Sequence, residues 1–200
     1  MNNTREHILN ISFGLFLQKS FKEVTMKEIV EETGMSKGAF YHYFESKEQL
    51  FLEIIDYAFS SVIDINYSKL NKDSLYNFYH SYITYLNNVN QLFVQKSSNL
   101  NSTFDLNYYS LIFDALRLFP GFREKMIATS LAELEAWKEI VHIARKKEEI
   151  KSSMTDEQIA SIFINTNSGI SMENIMIGRS ESITSTLLIL WDSFYEDLKV

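Results

Sequence analysis

The sequence predicts an all-α protein, and three observations predict it. Of its 200 residues 46% are hydrophobic, yet the chain has one proline and six glycines. A β-rich chain needs turn residues about every 8 to 12 positions, and here Pro120-Gly121 is the single Pro-Gly pair. Apolar residues recur at helical spacing almost throughout. Capping-box patterns begin at Asn3, Thr25, Ser46 and Thr155, where a short polar side chain can satisfy an orphan N–H of the first helical turn.

Taken in order, the first helix is expected over about 4–19, with Ile8, Ser12, Leu15 and Phe16 as its stripe. Thr25-Met-Lys-Glu28 opens a short helix carrying Met26, Ile29 and Val30. Gly34 can turn the chain out of it without a Cβ penalty, and Ser36 can cap a second short helix. Ser46-Lys-Glu-Gln49 starts a long helix through Leu50, Ile54 and Tyr57 to about Asn66. The polar stretch 67–73 marks a boundary. The expected organisation is therefore 1–48 as a three-helix helix-turn-helix domain, 49–66 as a connecting helix, and 67–200 as a second helical domain.

Within that second domain, Ser74 to Val89 carries Leu75, Phe78, Tyr79, Tyr82, Leu86 and Val89 at helical spacing. After a polar break from Ser97 to Ser102, the segment from about Asp105 to Phe119 is apolar nearly all round and is expected to be buried on most faces. A long amphipathic helix from Phe122 to about Lys147 follows, closed by the charged segment from Arg145 to Lys151. The helix opened by Thr155 carries Ile159, Ile162, Phe163, Thr166 and Ile170. The last helix repeats Ile183, Leu187, Leu190, Trp191, Phe194 and Leu198, with Leu188, Ile189 and Tyr195 on an adjoining face.

Composition excludes several classes. No cysteine means no disulfide, zinc finger, iron–sulfur cluster or thiol nucleophile. A formal charge of −7 argues against a protein that coats nucleic acid, which needs an excess of Lys and Arg. No apolar run approaches the roughly 20 residues that span a bilayer, and the polar N-terminus is unlike a targeting signal. A cytoplasmic protein without membrane contact is expected.

The pair of short helices between residues 25 and 44 has the dimensions of a helix-turn-helix, whose second helix enters the major groove of DNA. Phe40 and Phe44, four apart, can anchor one face of that helix and leave Lys37, Gly38, Tyr41 and His42 on the other. Gly38 and Ala39 permit close approach to base edges or a thymine methyl, and Lys37 can reach guanine acceptors. Thr25, Tyr43 and Lys47 suit phosphates. An ordinary three-helix cluster with amphipathic surface tyrosines is the competing reading.

The run Thr25-Met-Lys-Glu-Ile29-Val-Glu-Glu-Thr33-Gly34-Met-Ser36-Lys-Gly38-Ala-Phe40-Tyr41-His-Tyr43-Phe44-Glu-Ser-Lys47-Glu-Gln-Leu50 resembles the DNA-binding segment of TetR/AcrR-type bacterial transcriptional regulators. Ile8, Leu15-Phe16 and Phe21 extend the likeness over about residues 4–55. The resemblance implies that Thr25 and Ser36 cap helices at the DNA, that Lys37, Gly38, Ala39, Tyr41 and His42 face bases, and that Tyr43 and Lys47 hold phosphates. Ser20, Val30 and Thr33 depart from the usual pattern, the first where glycine is common and the others where alanine is.

For the remainder the resemblance implies a ligand-binding and dimerisation domain, in which the helices at about 156–177 and 183–198 form a four-helix bundle with a second subunit. The expected interface is Ile159, Phe163, Ile170, Leu187, Leu190, Trp191 and Phe194, in keeping with a last helix apolar over more than one face. Twelve of the 28 aromatic residues lie between Tyr76 and Phe122, and tyrosines suit an apolar pocket with a few orienting hydrogen bonds. Tyr79, Tyr82, Tyr109, Phe113 and Trp137, with Asn165 and Asn167 as amides in an apolar helix, are the candidate contacts for a small, mostly apolar effector.

The combined expectation is a homodimeric repressor of double-stranded operator DNA, released by that effector, without catalytic residue, cofactor or metal. Two alternatives stand beside it. One keeps the DNA-binding head but has a filled C-terminal core that answers to a protein partner or to nothing. The other is a helical-bundle metalloenzyme, suggested only by Glu139-x-x-His142, a spacing that di-iron bundles use in two copies.

Overall fold

The computed structural model describes residues 3–63, 65–96, 104–177 and 183–200, leaving aside the side chains of 58–63, 90–96, 104–108 and 175. The protein is all-α. Among the described residues there are nine α-helices: α1 (Asn3–Gln18), α2 (Met26–Glu32), α3 (Lys37–Tyr41), α4 (Lys47–Ile63), α5 (Leu75–Lys96), α6 (Phe104–Leu118), α7 (Pro120–Lys146), α8 (Asp156–Met176) and α9 (Ile183–Leu198). A 3-10 turn at Tyr67–Lys69 precedes α5. The polar break expected at 97–102 lies outside the described residues. No described helix is long and apolar enough to cross a membrane.

The predicted caps form where the hydroxyl needs to reach only three residues ahead. Thr25 Oγ1 accepts from the Glu28 N–H at 3.2 Å, Ser36 Oγ from Ala39 at 3.3 Å and Ser46 Oγ from Gln49 at 3.1 Å. At Thr155 the box is reciprocal: Gln158 N–H donates to Thr155 Oγ1 at 3.1 Å, and Thr155 N–H donates to Gln158 Oε1 at 2.8 Å. Gly34 holds φ +66°, the left-handed turn that separates α2 from α3. Pro120 begins α7 at the position where its missing N–H costs nothing.

The chain divides into two compact units. One unit comprises residues 1–64 and 94–124, the other 65–93 and 125–200. In the first, α6 packs on α1 and α4. Phe21 meets Phe51 at 4.9 Å between ring centroids and Phe119 at 6.1 Å, with Phe16 and Phe51 5.0 Å apart. Asp114, buried on α6, accepts a hydrogen bond from the Phe21 N–H at 3.1 Å and from Arg117 at 2.6 Å. The helix from 104 to 118 is therefore part of the head's core, although it is not buried all round: Phe113 is 58% exposed.

The second unit has one core, formed by Phe78, Tyr79 and Tyr82 of α5, Trp137, Ile140 and Val141 of α7, Ile159 and Phe163 of α8, and Leu187 and Trp191 of α9. The charged segment after α7 is structural. Glu149 accepts from the N–H groups of Leu75 and Tyr76, at 3.0 and 3.2 Å, and so caps α5. Arg145 binds Asp156 at 2.6 Å and the Ser152 carbonyl at 2.9 Å, which fixes the entry to α8.

Removing the Asp114 carboxylate leaves the buried Phe21 N–H without an acceptor. Asp114→Ala is expected to lower stability by about 1–3 kcal/mol. Arg117→Ala, on an exposed side chain, should stay within about 0.5 kcal/mol. Urea unfolding followed by circular dichroism measures both.

Candidate nucleic-acid interface

A five-residue helix has too few hydrogen bonds to hold itself, so its orientation comes from packing. Phe40 and Phe44 are both 0% exposed, with ring centroids 6.2 Å apart. The Arg5 guanidinium lies 4.7 Å over the Phe44 ring and is bonded to Glu53 at 2.6 Å, tying α1 to α4 beside it. With that face fixed inward, Ser36, Lys37, Gly38, Ala39, Tyr41 and His42 are exposed together with Thr25, and Tyr43 is half-buried at their edge. Lys37 Nζ lies 5.9 Å over the Tyr41 ring, and it has no carboxylate partner among the described residues.

Gly38 is informative. It has an ordinary backbone, and a Cβ built on it would meet no atom within 4 Å. Neither turn geometry nor internal packing requires glycine there. What an added methyl would obstruct is approach from outside.

Lys47 is engaged within the head. Its ammonium donates to the carbonyls of Phe21 at 2.7 Å and Val24 at 2.8 Å, and lies 4.4 Å over the Phe21 ring. Those carbonyls belong to the connection between α1 and α2, so Lys47 positions the head. Two other head cations are also paired, Lys19 with Glu28, and Lys27 with Glu31 at 3.7 Å. Through the Lys19 bond the Glu28 carboxyl is held below its ordinary range and the Lys19 ammonium above its own. Glu28 thus turns to Lys19 where the capping box had it turning back to Thr25.

The departures at 20 and 33 are compensated locally. Ser20 donates through both N–H and Oγ to Glu23, at 2.9 and 2.7 Å. Thr33 Oγ1 donates to the Val30 carbonyl at 2.9 Å, so its hydroxyl is satisfied although the residue is buried.

Of the residues expected to contact an effector, Tyr79, Tyr82 and Trp137 are buried in the core of the second unit, and Tyr109 and Phe113 lie on α6 in the first. Asn165 is exposed, and Asn167 donates to the Tyr82 hydroxyl at 3.2 Å. A surface depression of about 580 Å³ lined by Met154, Thr155, Glu157, Gln158, Ser161 and Ile162 includes none of them.

A polar cluster inside the aromatic core escaped the sequence reading. Tyr82 Oη donates to Glu133 Oε1 at 3.2 Å. Burial pushes the Glu133 carboxyl above its ordinary range, against the neighbouring phenols, and raises the Tyr67 and Tyr82 phenols as well. Nearby, the Nε1 atoms of Trp137 and Trp191 are buried with no hydrogen-bond partner, each at a cost of about 1–3 kcal/mol. The available sequence signal was Glu133 standing one turn before Trp137 on the inward stripe of α7. Glu139 and His142 are directed to separate partners, Lys72 and Asp156.

The expected dimer residues also divide. Ile159, Phe163, Ile170, Leu187 and Trp191 are buried within their own unit, because they form its core. Leu190, 47% exposed, and half-buried Phe194 remain toward the outside. The apolar residues that α8 and α9 leave uncovered are Met172, Met176 and Ile177 with Ile189 and Leu190.

Comparison with known proteins follows this division. Residues 8–54 match the model of bacterial regulatory proteins of the tetR family. The HTH-type transcriptional regulator YerO of Bacillus subtilis is 47% identical over 57 residues, 28% of this chain, and the chain spans 20% of that relative's length. A transcriptional regulator described as a TetR/AcrR family member superposes over 98% of this chain and 100% of its own, at 22% identity and TM-score 0.64. The flavonoid-responsive regulator FrrA superposes over 100% and 98%, at 19% identity and TM-score 0.57. The fold is common to the full length, while sequence likeness is concentrated in the head.

Gly38→Ala separates fold from interface. It is expected to raise stability by about 0.4–1 kcal/mol through helix propensity. It should also weaken binding to a duplex selected from random DNA by roughly tenfold, about 1.4 kcal/mol. Thermal unfolding and fluorescence anisotropy read the two effects.

Proposed function

We propose that this chain, which belongs to the tetR family of bacterial regulatory proteins, acts as a homodimeric repressor whose α3 reads the major groove of a near-palindromic operator and whose second unit responds to a small molecule. The observation that carries the DNA reading is the exposure of Lys37, Gly38, Ala39, Tyr41 and His42 on a helix held by buried Phe40 and Phe44. Lys37 and Tyr41 contact base edges, and Thr25, Ser36 and Tyr43 hold phosphates through hydroxyls and the N–H groups of helix starts. Lys47 supports the head from within.

Dimerisation would cover Met172, Met176, Ile177, Ile189 and Leu190, a group too apolar to be left in water together. A two-fold dimer presents two copies of α3 to half-sites spaced by about 34–36 Å or a multiple of it. An effector that prefers a conformer with the wrong spacing releases the operator, and a difference of a few kcal/mol in its affinity for the two conformers suffices. The neighbour named as flavonoid-responsive has the same fold, which supports small-molecule control of this architecture.

The close packing of Tyr79, Tyr82 and Trp137 favours a second reading, in which the core is filled and a protein partner controls the head. Release of operator DNA by a protein fraction and by no small molecule would distinguish it.

Lys37→Ala combined with Tyr41→Ala is expected to weaken operator binding by about 100-fold or more while leaving helicity and sedimentation unchanged. A double variant that still binds the selected duplex would remove α3 from the interface. Ile189→Glu with Leu190→Glu is expected to convert the two-chain species to one chain in sedimentation equilibrium.

A further inference from the structure

We propose that Met172 and Met176 form an oxidation site, and that a peroxide converting their thioethers to sulfoxides separates the paired chains. The inference rests on the reading that two copies pair through the apolar residues left uncovered on α8 and α9. It adds a regulation of that contact which needs no effector.

The first observation is where the sulfur lies. The chain has seven methionines and no cysteine, so a thioether is the only sulfur an oxidant can meet. Met176 is 69% exposed and Met172 37%, whereas Met26, Met35, Met126 and Met154 are half-buried. An oxidant in solution reaches the exposed pair first.

The second observation is their company. Met172 and Met176 stand four apart on α8, so one face of the helix carries both. Ile177 at the end of α8, and Ile189 and Leu190 on α9, which packs on α8, are exposed as well. None of these side chains has an N–H or O–H to give. A thioether suits such a contact, being apolar and adaptable. A sulfoxide oxygen is a polar acceptor, and the same contact would close over it without a donor.

The third is that the fold does not call for sulfur at either position. Neither side chain belongs to the core of the second unit, and leucine matches methionine in helix propensity and nearly in volume. What methionine adds over leucine is a polarity that can be changed in place.

Pairing covers the sulfurs, so the oxidant acts on the separated chain. Each sulfur gives an electron pair to one peroxide oxygen, the O–O bond breaks, and the other oxygen leaves as water with both peroxide hydrogens. Sulfur is oxidised by two electrons and the peroxide reduced by two. The modified chain no longer pairs, which leaves a single reading head, and enzymatic reduction of the sulfoxides reverses the change.

Treatment of the full chain with hydrogen peroxide, followed by peptide mass mapping, is expected to oxidise Met172 and Met176 at least about fivefold faster than Met26, Met35, Met126 and Met154. In sedimentation equilibrium, the chain oxidised at both positions should pair about 100-fold more weakly or less, with its circular dichroism spectrum unchanged. Methionine sulfoxide reductases acting on both epimers should restore pairing. Met172→Leu combined with Met176→Leu is expected to pair as the native chain does and to stay paired after the same treatment. Equal oxidation rates at all six methionines, a native chain that stays paired with both sulfoxides in place, or a leucine variant that separates on treatment as the native chain does, each overturns the inference; the first two need no variant to fold. If the untreated chain sediments as one chain at every concentration, the pairing reading fails and the switch falls with it. If the chain is paired before treatment and still paired with both sulfoxides in place, the pairing reading stands and the oxidation switch fails.

Discussion

Phe40 and Phe44 hold the rest of the head in register. A helix of five residues draws nothing from cooperativity, so α3 exists in one orientation only because these two rings are sealed on one side of it. Their burial decides which side chains face water, and therefore which groups a partner can meet. Arg5, stacked on Phe44 and bonded to Glu53, and Lys47, bonded to two carbonyls before α2, brace the same arrangement from opposite ends. Cations invested in this bracing are held in place by several contacts at once, which makes them poor candidates to leave for a phosphate.

The head is also larger than a three-helix motif. Phe119 and Asp114, nearly 100 residues downstream of Phe21, complete its core and take up its backbone N–H. A fragment ending at residue 48 or 66 would lack both the Phe119 ring and the Asp114 acceptor. The unit that carries α3 is thus assembled from two stretches of chain, and α6 belongs to it as much as α1 does.

Local features were legible in the sequence because their causes are local. A Thr or Ser hydroxyl reaches its cap N–H three residues away whatever the rest of the chain does, so Thr25, Ser36, Ser46 and Thr155 could be placed directly. The two faces of α3 could be read from Phe40 and Phe44 four apart. Where a choice depended on distant packing, the residues alone did not decide it. On α9, Leu187, Trp191, Tyr195 and Leu198 face the core while Ile189 and Leu190 do not, and both sets are equally apolar. The ammonium of Lys47 could have gone to a phosphate or to the carbonyls that happen to lie beneath it. Asp114 and Glu133 interrupt apolar stripes, a pattern that marks them as unusual without saying what they meet.

Residues 1–50 hold six Lys and Arg against seven Asp and Glu, and among the cations Arg5, Lys19, Lys27 and Lys47 are bonded within the head. A stretch with so few uncommitted cations has little counterion release to gain from arbitrary duplex. On the proposed reading of α3, such a head would gain little from sliding along arbitrary duplex, and DNA outside the operator would sequester few copies of it.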